Sequence, residues 1–178
     1  MEYIDCFMFH WPTPDYYIPV WRELEDMYEE TNKISYIGIC NCRMRHLLDM
    51  EKHCRILPHV LQIEITPFWQ AKEERLFCQQ HGIAVQAFSP LCKMIDLIKG
   101  NKVLKLLAKK YSVSIPQIIL RWDYQSGIIP ISQSGKPDRI TQNFDIWKFS
   151  LSEEDMNAIN NLDCGYKYHL ESATCSGF

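Results

Sequence analysis

Several features that would assign a functional class at once are missing from this chain. It has 178 residues and a formal net charge of −3, so no basic field suggests a nucleic-acid partner. No apolar run approaches the roughly 20 residues that a membrane-spanning helix needs. The first residues, MEYIDCFMFHWP, have neither the basic start nor the small-residue cleavage site of a signal peptide. We therefore expect no nucleic-acid partner and no membrane partner.

The common nucleotide, nucleophile and metal motifs are missing as well. No GxGxxG follows the first predicted strand, which argues against a Rossmann dinucleotide site. The absence of GxxxxGK[ST] and of GxSxG argues against a P-loop and against an α/β-hydrolase. The six histidines form no i,i+4 pair with a glutamate, and Cys40-x-Cys42 is a poor spacing for a metal. No metal ligand is therefore assigned.

The cysteines do not form a recognisable framework. All eight are scattered, mostly at apolar strand and helix positions, and none belongs to a CxxC pair. This pattern is typical of free, buried thiols in a reducing compartment, so the expected location is the cytoplasm. With 47% hydrophobic residues, the chain is large enough for one domain with a real core.

Strands and helices alternate along the sequence. The first strand is rich in aromatics and almost uninterrupted, which is typical of a strand covered on both faces. Ser114 with Gln117 and Ser152 with Asp155 form two predicted capping boxes. Predicted strands span residues 3–9, 34–39, 60–65, 83–88 and 128–131. Predicted helices span 17–31, 44–55, 70–80 and 102–111, and three more begin at 114, near 137 and at 152.

Helical periodicity predicts which side chains face the core. In the first helix the inward set is Val20, Trp21, Leu24, Met27 and Tyr28, while Glu23, Glu25, Asp26 and Glu30 lie largely on the other side. In the later helices the inward sets are Val103, Leu106 and Leu107; Ile118, Ile119 and Trp122; and Met156, Ile159 and Leu162.

Polar residues follow the predicted strands. They include His10, Asn41, Gln62, Ser89 and Ser132. Alternating strands and helices predict a parallel sheet, and the carboxyl ends of parallel strands carry the site in such folds. A (β/α) barrel that holds a phosphate after its last strands fits this arrangement best.

The stretch IIPISQSGKPDRITQN, residues 128–143, indicates what such a site would bind. A strand leads through a polar loop into a helix whose second or third residue is Pro137, which suits a first helical turn. Arg139 and Asn143 are four apart, so they share one face of that helix. Free backbone N–H groups, the helix dipole and an arginine converge there, which suits an anionic phosphate. On this stretch alone, a solvated strand–turn–helix is the alternative.

The motifs HWP, IGICN, LQIEITP, AFSPL, IPIS…PDRITQN and FSLSEEDM, in this order, resemble those of the aldo-keto reductases. The resemblance runs from about Tyr3 to Leu162, and small-substrate bacterial members of the diketogluconate reductase kind look nearest. It implies an α/β fold of the TIM (β/α)8 type and reduction of aldehydes or ketones with NADPH. The domain would then cover residues 1–162, followed by an irregular tail at 163–178.

The resemblance also implies roles for individual residues. His10 is similar to the active-site histidine that orients the substrate carbonyl, and Asn41 and Gln62 look like the residues that hold the nicotinamide carboxamide. Cys40 stands where the family usually has a serine. Phe88 is where the family has an aromatic that stacks on the nicotinamide ring. The implied contacts to the phosphates and the adenosine ribose are Ser89, Leu91, Ser132, Arg139, Gln142 and Asn143. The alternatives are a core histidine, loop-capping amides and a core aromatic.

Other departures from the family pattern concern charge and catalysis. Ile131 stands where many members have a lysine on the phosphate, and Lys136 is an alternative source of charge, so NADH remains an alternative cofactor. Residues 93–101 carry no motif that would identify the substrate. The chain begins at the family's fourth strand, so the catalytic tyrosine, lysine and aspartate are expected to be missing, and the isolated chain is expected to be inactive or severely impaired.

Three hypotheses follow for the whole chain. It is the C-terminal portion of an NADP(H)-dependent reductase of small carbonyl substrates, a non-catalytic NADP(H)-binding or regulatory module, or a non-functional truncated product. In a partial barrel the strands at 3–9 and 128–131 would be exposed edges, and such edges favour self-association or aggregation.

Overall fold

The computed structural model describes residues 2–169, which form an alternating α/β chain. The strands are β1 (Ile4–Phe9), β2 (Ile34–Cys40), β3 (Val60–Glu64), β4 (Ala84–Phe88) and β5 (Ile128–Ile131). The helices are α1 (Tyr17–Glu30), α2 (Met44–His53), α3 (Lys72–His81), α4 (Asp96–Gly100), α5 (Lys102–Tyr111), α6 (Ile115–Gln125), α7 (Pro137–Phe144) and α8 (Glu153–Asn160). A short 3₁₀ turn at Cys92–Met94 precedes α4.

The strands form one five-stranded sheet in the order β1-β2-β3-β4-β5. β1 is parallel to β2, with Ile4 opposite Ile34 and Phe9 opposite Ile39, and β2 is parallel to β3. The predicted α/β fold with a parallel sheet is therefore confirmed. None of the helices within residues 2–169 combines the length and the hydropathy of a transmembrane segment.

The chain divides into two compact units. Unit 1 comprises residues 2–63 and 71–86, together with residue 169 at the end of the described chain. Unit 2 comprises Glu64–Gln70 and Ala87–Tyr168. Each unit has its own buried apolar core.

In unit 1 the core lies around β2. Its fully buried side chains include Trp21, Ile37, Ile39, Leu47, Met50 and Leu61. Trp21 Nε1 donates a hydrogen bond to the Ile56 carbonyl at 2.9 Å, which satisfies the indole inside the core. Gly38 allows β2 to lie close to its neighbours, because a Cβ there would be only 3.0 Å from the Val60 carbonyl oxygen.

Two predictions about unit 1 are wrong. None of the residues of β1 is buried within the described chain, because β1 is the first strand of the sheet and has only β2 beside it. In α1, Val20 and Met27 are exposed, whereas Glu25 is fully buried. The Glu25 carboxylate accepts a hydrogen bond from the Ile56 N–H at 2.8 Å. This backbone donor compensates for the burial of the carboxylate, although the hydrophobic pattern of α1 predicts that Glu25 faces outward.

In unit 2 the core lies around α6, which packs against α5, β5 and α7. Its fully buried side chains include the predicted Ile118, Ile119, Trp122 and Ile159, and Leu104. The capping box of Ser114 with Gln117 is confirmed. The prediction for the inward face of α5 is wrong at one position, because Leu106 is 67% exposed while Leu104 is fully buried.

The second predicted capping box forms only in part. Ser152 Oγ accepts from the Asp155 N–H at 3.2 Å, but the Asp155 carboxylate accepts from Lys110 Nζ at 2.7 Å and from the Tyr111 hydroxyl. Burial alone would raise the pKa of Asp155, but the hydrogen bonds from Lys110 and Tyr111 prevail and lower it to about 2. The carboxylate therefore links α8 to α5 and does not close the cap.

Residues 163–169, the described part of the predicted tail, contain neither helix nor strand. The N–H groups of Cys164 and Tyr166 both donate to the Phe68 carbonyl at 3.1 Å, and the Tyr168 N–H donates to Glu64 Oε1 at 2.6 Å. This part of the tail is therefore fixed to residues 64–68 of unit 2. The rest of the predicted tail, 170–178, lies outside the described residues.

The cysteines of residues 2–169 are all free. Cys40, Cys42, Cys78 and Cys92 are buried, as predicted, but Cys6 and Cys54 are only partly buried and Cys164 is exposed. Burial is the main cause that raises the pKa of Cys78 and Cys92 to about 12, so both are protonated thiols near neutral pH.

Candidate functional site

In unit 1, hydrogen bonds join the polar residues at the ends of neighbouring strands. Asn41 directly follows β2, and its N–H donates to the Gln62 carbonyl at 2.9 Å. Its side-chain Nδ2 donates to the His10 carbonyl at 2.9 Å. The structure therefore brings together three of the predicted site residues at the carboxyl ends of β1 and β2 and in β3.

Asn41 has an unusual backbone and an unusual side chain. Its φ is +60°, in the left-handed region that asparagine tolerates better than most residues. The residue is 4% exposed, and its Oδ1 is buried with no hydrogen-bond partner among residues 2–169. A buried acceptor without a donor costs stability, so it is well placed to accept a hydrogen bond from a ligand amide.

Gln62 is held from both sides. Cys40 Sγ donates to Gln62 Oε1 at 3.9 Å, and Gln62 Nε2 donates to Gln86 Oε1 at 2.9 Å. Burial is the main cause that raises the pKa of Cys40 to about 11, which keeps the thiol protonated and able to donate. Sequence reasoning missed Gln86, although a polar residue two positions before Phe88 lies on the same face of β4 and was a usable signal.

His10 follows β1 and is exposed. Its ring lies edge-on to Trp11, with the ring centroids 5.6 Å apart. The nearby Tyr17 is a poor candidate for a proton donor. Its hydroxyl donates to Asp49, and burial followed by that hydrogen bond raises the pKa of Tyr17 well above its ordinary value.

In unit 2, a cavity of about 880 Å³ lies beside the ends of β4 and β5. Its volume is within the range of pockets that bind cofactors. The structure brings together at this cavity the residues predicted at the end of β4 and after β4 and β5. They are Phe88, Ser89, Leu91, Ser132, Arg139, Gln142 and Asn143.

The segment after β4 has a strained backbone beside this cavity. Ser89 has φ +50°, and Cys92, Lys93 and Met94 have φ values of 41°, 49° and 56°. None of these residues is glycine, and residues held in the left-handed region cluster at ligand sites. The Cys92 N–H donates to the Ser89 carbonyl at 2.9 Å and closes the turn.

The cavity is also bordered by α7, which begins at Pro137, one or two residues later than the sequence predicts. The Lys136 carbonyl accepts from the N–H groups of Arg139 and Ile140 at 3.0 and 3.1 Å. Arg139 in this first turn and Asn143 one turn later both line the cavity.

The charge of the cavity lining is entirely positive. Lys93, Lys99 and Arg139 line it, and no Asp or Glu among residues 2–169 does. The uncharged polar lining consists of the hydroxyl groups of Ser89, Ser114, Ser132 and Ser134 and the side-chain amides of Gln133, Gln142 and Asn143. This combination can hold an anion with several phosphate oxygens. Sequence reasoning missed both lysines, because residues 93–101 contain no recognisable motif.

Comparison with known proteins adds a family to this geometry. The model of the Aldo/keto reductase family matches residues 1–163. The 9,11-endoperoxide prostaglandin H2 reductase of Trypanosoma cruzi is 42% identical over 92% of this chain and 58% of its own length. The glyoxal reductase of Bacillus subtilis is 41% identical, with the same shares covered. The chain therefore spans less than two thirds of these relatives.

A solved structure shows the same relation in three dimensions. The crystal structure of a Gox0644 mutant in complex with NADPH superposes with a TM-score of 0.89 and 29% identity. The superposition covers 97% of this chain and 64% of that one.

Proposed function

Because the chain belongs to the aldo/keto reductase family, we propose that it forms the cofactor-binding portion of an NADP(H)-dependent carbonyl reductase. The observation that carries this proposal is the cavity of unit 2, which combines three cations with the residues predicted at the end of β4 and after β4 and β5. In this proposal the five strands correspond to the last five of an eight-stranded (β/α) barrel. The small dicarbonyl named for the Bacillus subtilis relative supports a small carbonyl substrate.

Two observations fit a nicotinamide dinucleotide. The positive lining of the cavity suits its phosphates, and NADPH carries one more phosphate than NADH. The buried Asn41 Oδ1 lacks a donor within the described chain, and a carboxamide NH₂ would supply one. When bound, the cofactor would supply the hydride that reduces a carbonyl group.

Each residue then has a defined part. In unit 2, Arg139 holds the 2′-phosphate and Phe88 offers a ring face to the nicotinamide. The phosphate and ribose contacts are Ser89, Leu91, Ser132, Gln142 and Asn143. In unit 1, Asn41 and Gln62 hold the carboxamide, with Cys40 and Gln86 fixing the Gln62 amide.

His10 is the substrate-facing residue of unit 1. An exposed imidazole can donate a hydrogen bond to the oxygen that becomes negative as a carbonyl is reduced. We assign the proton-donor role to none of the tyrosines described here, and the raised pKa of Tyr17 supports that choice. Without a general acid the rate should be lower by about 10²–10⁴-fold, so this chain alone should be nearly inactive.

Exposed apolar strands support self-association. β1 exposes Ile4 and Phe7, β5 exposes Ile129 and Ile131, and these are the first and last strands of the sheet. Unpaired apolar strands favour pairing with another chain. Light scattering coupled to size exclusion should therefore show species larger than a monomer. The free thiols of residues 2–169 further support a reducing location such as the cytoplasm.

Titration of the intact chain with NADPH and with NADH, followed by tryptophan fluorescence, tests the proposal. Saturable NADPH binding is expected. Arg139→Ala should weaken NADPH binding about tenfold or more, because a charge-assisted hydrogen bond is lost, and should barely affect NADH. The matched control is Lys105→Ala, on the exposed side of α5 and outside the cavity lining. No saturable binding of either dinucleotide would overturn the proposal.

A further inference from the structure

We propose that Lys93 and Lys99 hold the pyrophosphate of the bound dinucleotide and take over the charge that Ile131 does not supply. This inference rests on the function proposed above and concerns the same cavity. Both lysines come from the segment between β4 and α5, and both line the cavity together with Ile131.

The cations reach the cavity from two separate segments. Arg139 comes from the first turn of α7, after β5, and the two lysines come from the segment after β4. NADPH also carries two separate phosphate centres, the 2′-phosphate and the pyrophosphate. Since Arg139 is assigned to the 2′-phosphate, the lysines are left for the pyrophosphate, and no carboxylate among the described lining residues competes with it.

The local structure leaves both ammonium groups accessible. Lys93 is exposed at the centre of the left-handed turn, while the neighbouring Cys92 is 1% exposed and anchors that turn. Lys99 Nζ lies 3.9 Å from Asp96 Oδ1, and both side chains are largely exposed. Such an exposed pair contributes little, so it does not neutralise Lys99 in the way that a buried pair would.

Lys136, the alternative suggested by the sequence, has a different place. It is the residue before α7, where its carbonyl accepts from Arg139 and Ile140, and its side chain is exposed outside the lining of the cavity. Although Lys136 is close to Ile131 in sequence, the lysines at the cavity come from a distant segment. The structure therefore favours Lys93 and Lys99 over Lys136.

The test compares dinucleotide binding by charge-removal variants of the full chain. Lys93→Gln and Lys99→Gln should each weaken binding about two- to fivefold, as expected for solvent-accessible charge pairs. The double variant should lose about tenfold and show a shallower salt dependence. NADPH and NADH should be affected equally, because both contain the pyrophosphate. The controls Lys136→Gln and Lys105→Gln should bind like the wild type.

The outcomes distinguish a failure of the lysine assignment from a failure of the proposed function. If the wild type binds but the double variant binds equally well, the inference is wrong and the proposed function stands. A loss confined to NADPH would also overturn the inference, because the lysines would then contact the 2′-phosphate. A loss at Lys136→Gln that equals the loss in the double variant would return the role to Lys136. If the wild type binds neither dinucleotide, both proposals fall. Matching urea unfolding midpoints would confirm that the variants are folded.

Discussion

Replacing Asn41 by glycine and by alanine separates its backbone from its side chain. Both variants lose the hydrogen bond from Nδ2 to the His10 carbonyl, and both lose the buried Oδ1. They differ only by a Cβ at a position where φ is +60°. The difference between their free energies of unfolding therefore depends on the left-handed backbone at position 41 and on the unfolded-chain entropy of glycine.

The expected difference follows from two opposing terms. A Cβ in the left-handed region costs about 1–2 kcal/mol in the folded state. Glycine in turn costs about 0.4–1 kcal/mol through the greater entropy of its unfolded chain. Asn41→Gly should therefore be more stable than Asn41→Ala by about 0.5–1 kcal/mol, which reverses the usual order of the two residues.

Urea denaturation followed by tryptophan fluorescence measures the difference. The control pair is Lys105→Gly and Lys105→Ala, at an exposed position inside α5, where alanine should be the more stable by about 1 kcal/mol. If alanine is also the more stable residue at position 41, the left-handed conformation is not imposed by the fold and the reasoning is wrong. Both Asn41 variants should in addition bind NADPH equally weakly, because both lack the carboxamide oxygen.

Two further predictions concern stability. Burial, followed by Arg45 and Arg43, lowers the pKa of His46 to about 4, so between about pH 4 and 6.5 the unfolded chain binds more protons than the folded one. The free energy of unfolding should therefore fall by about 1–2 kcal/mol as the pH drops through this window, after allowance for solvent screening. His46→Gln should make the free energy of unfolding depend less on pH between these values. An unchanged pH dependence in this variant would contradict the reasoning. Leu107→Ala should lower the free energy of unfolding by about 2–4 kcal/mol, measured by thermal or urea unfolding. The control Leu106→Ala, at an exposed position, should lower it by less than about 0.5 kcal/mol. Equal losses would refute the orientation of α5.

The order of the elements was predictable from local signals. α5 and β5 begin and end where the sequence predicts, because the hydrophobic period and the flanking breakers agree at both ends. The orientation of a helix was less predictable. Leu104 and Leu106 are both apolar, so the pattern alone cannot choose which one faces the core, and the packing of α5 against α6 and α8 decides.

The burial of polar residues is a second feature that the sequence did not predict. Glu25 reads as an outward residue in the helical pattern, but the Ile56 N–H needs an acceptor and lies in a loop beyond α2. The hydrophobic periodicity of α1 contains no information about a hydrogen-bond donor in a distant loop. The partners of buried polar groups therefore have to be found in the structure, even where the helix itself is predicted correctly.

The cavity of unit 2 illustrates what sequence motifs can predict and what they cannot. A motif compares one position with one role. It therefore predicts a phosphate contact for Arg139, and it shows that Ile131 cannot supply a positive charge. It does not say which residue supplies that charge instead. The electrostatic stabilisation of a phosphate depends on the positive charge near it and not on the segment that carries this charge. Here two lysines of the segment that follows β4 line the cavity. In the binding mode proposed above, the role of the missing lysine passes to another segment while the charge beside the phosphate is kept. If Lys93→Gln/Lys99→Gln weakens both dinucleotides and Lys136→Gln weakens neither, the replacement follows proximity in space and not proximity in sequence.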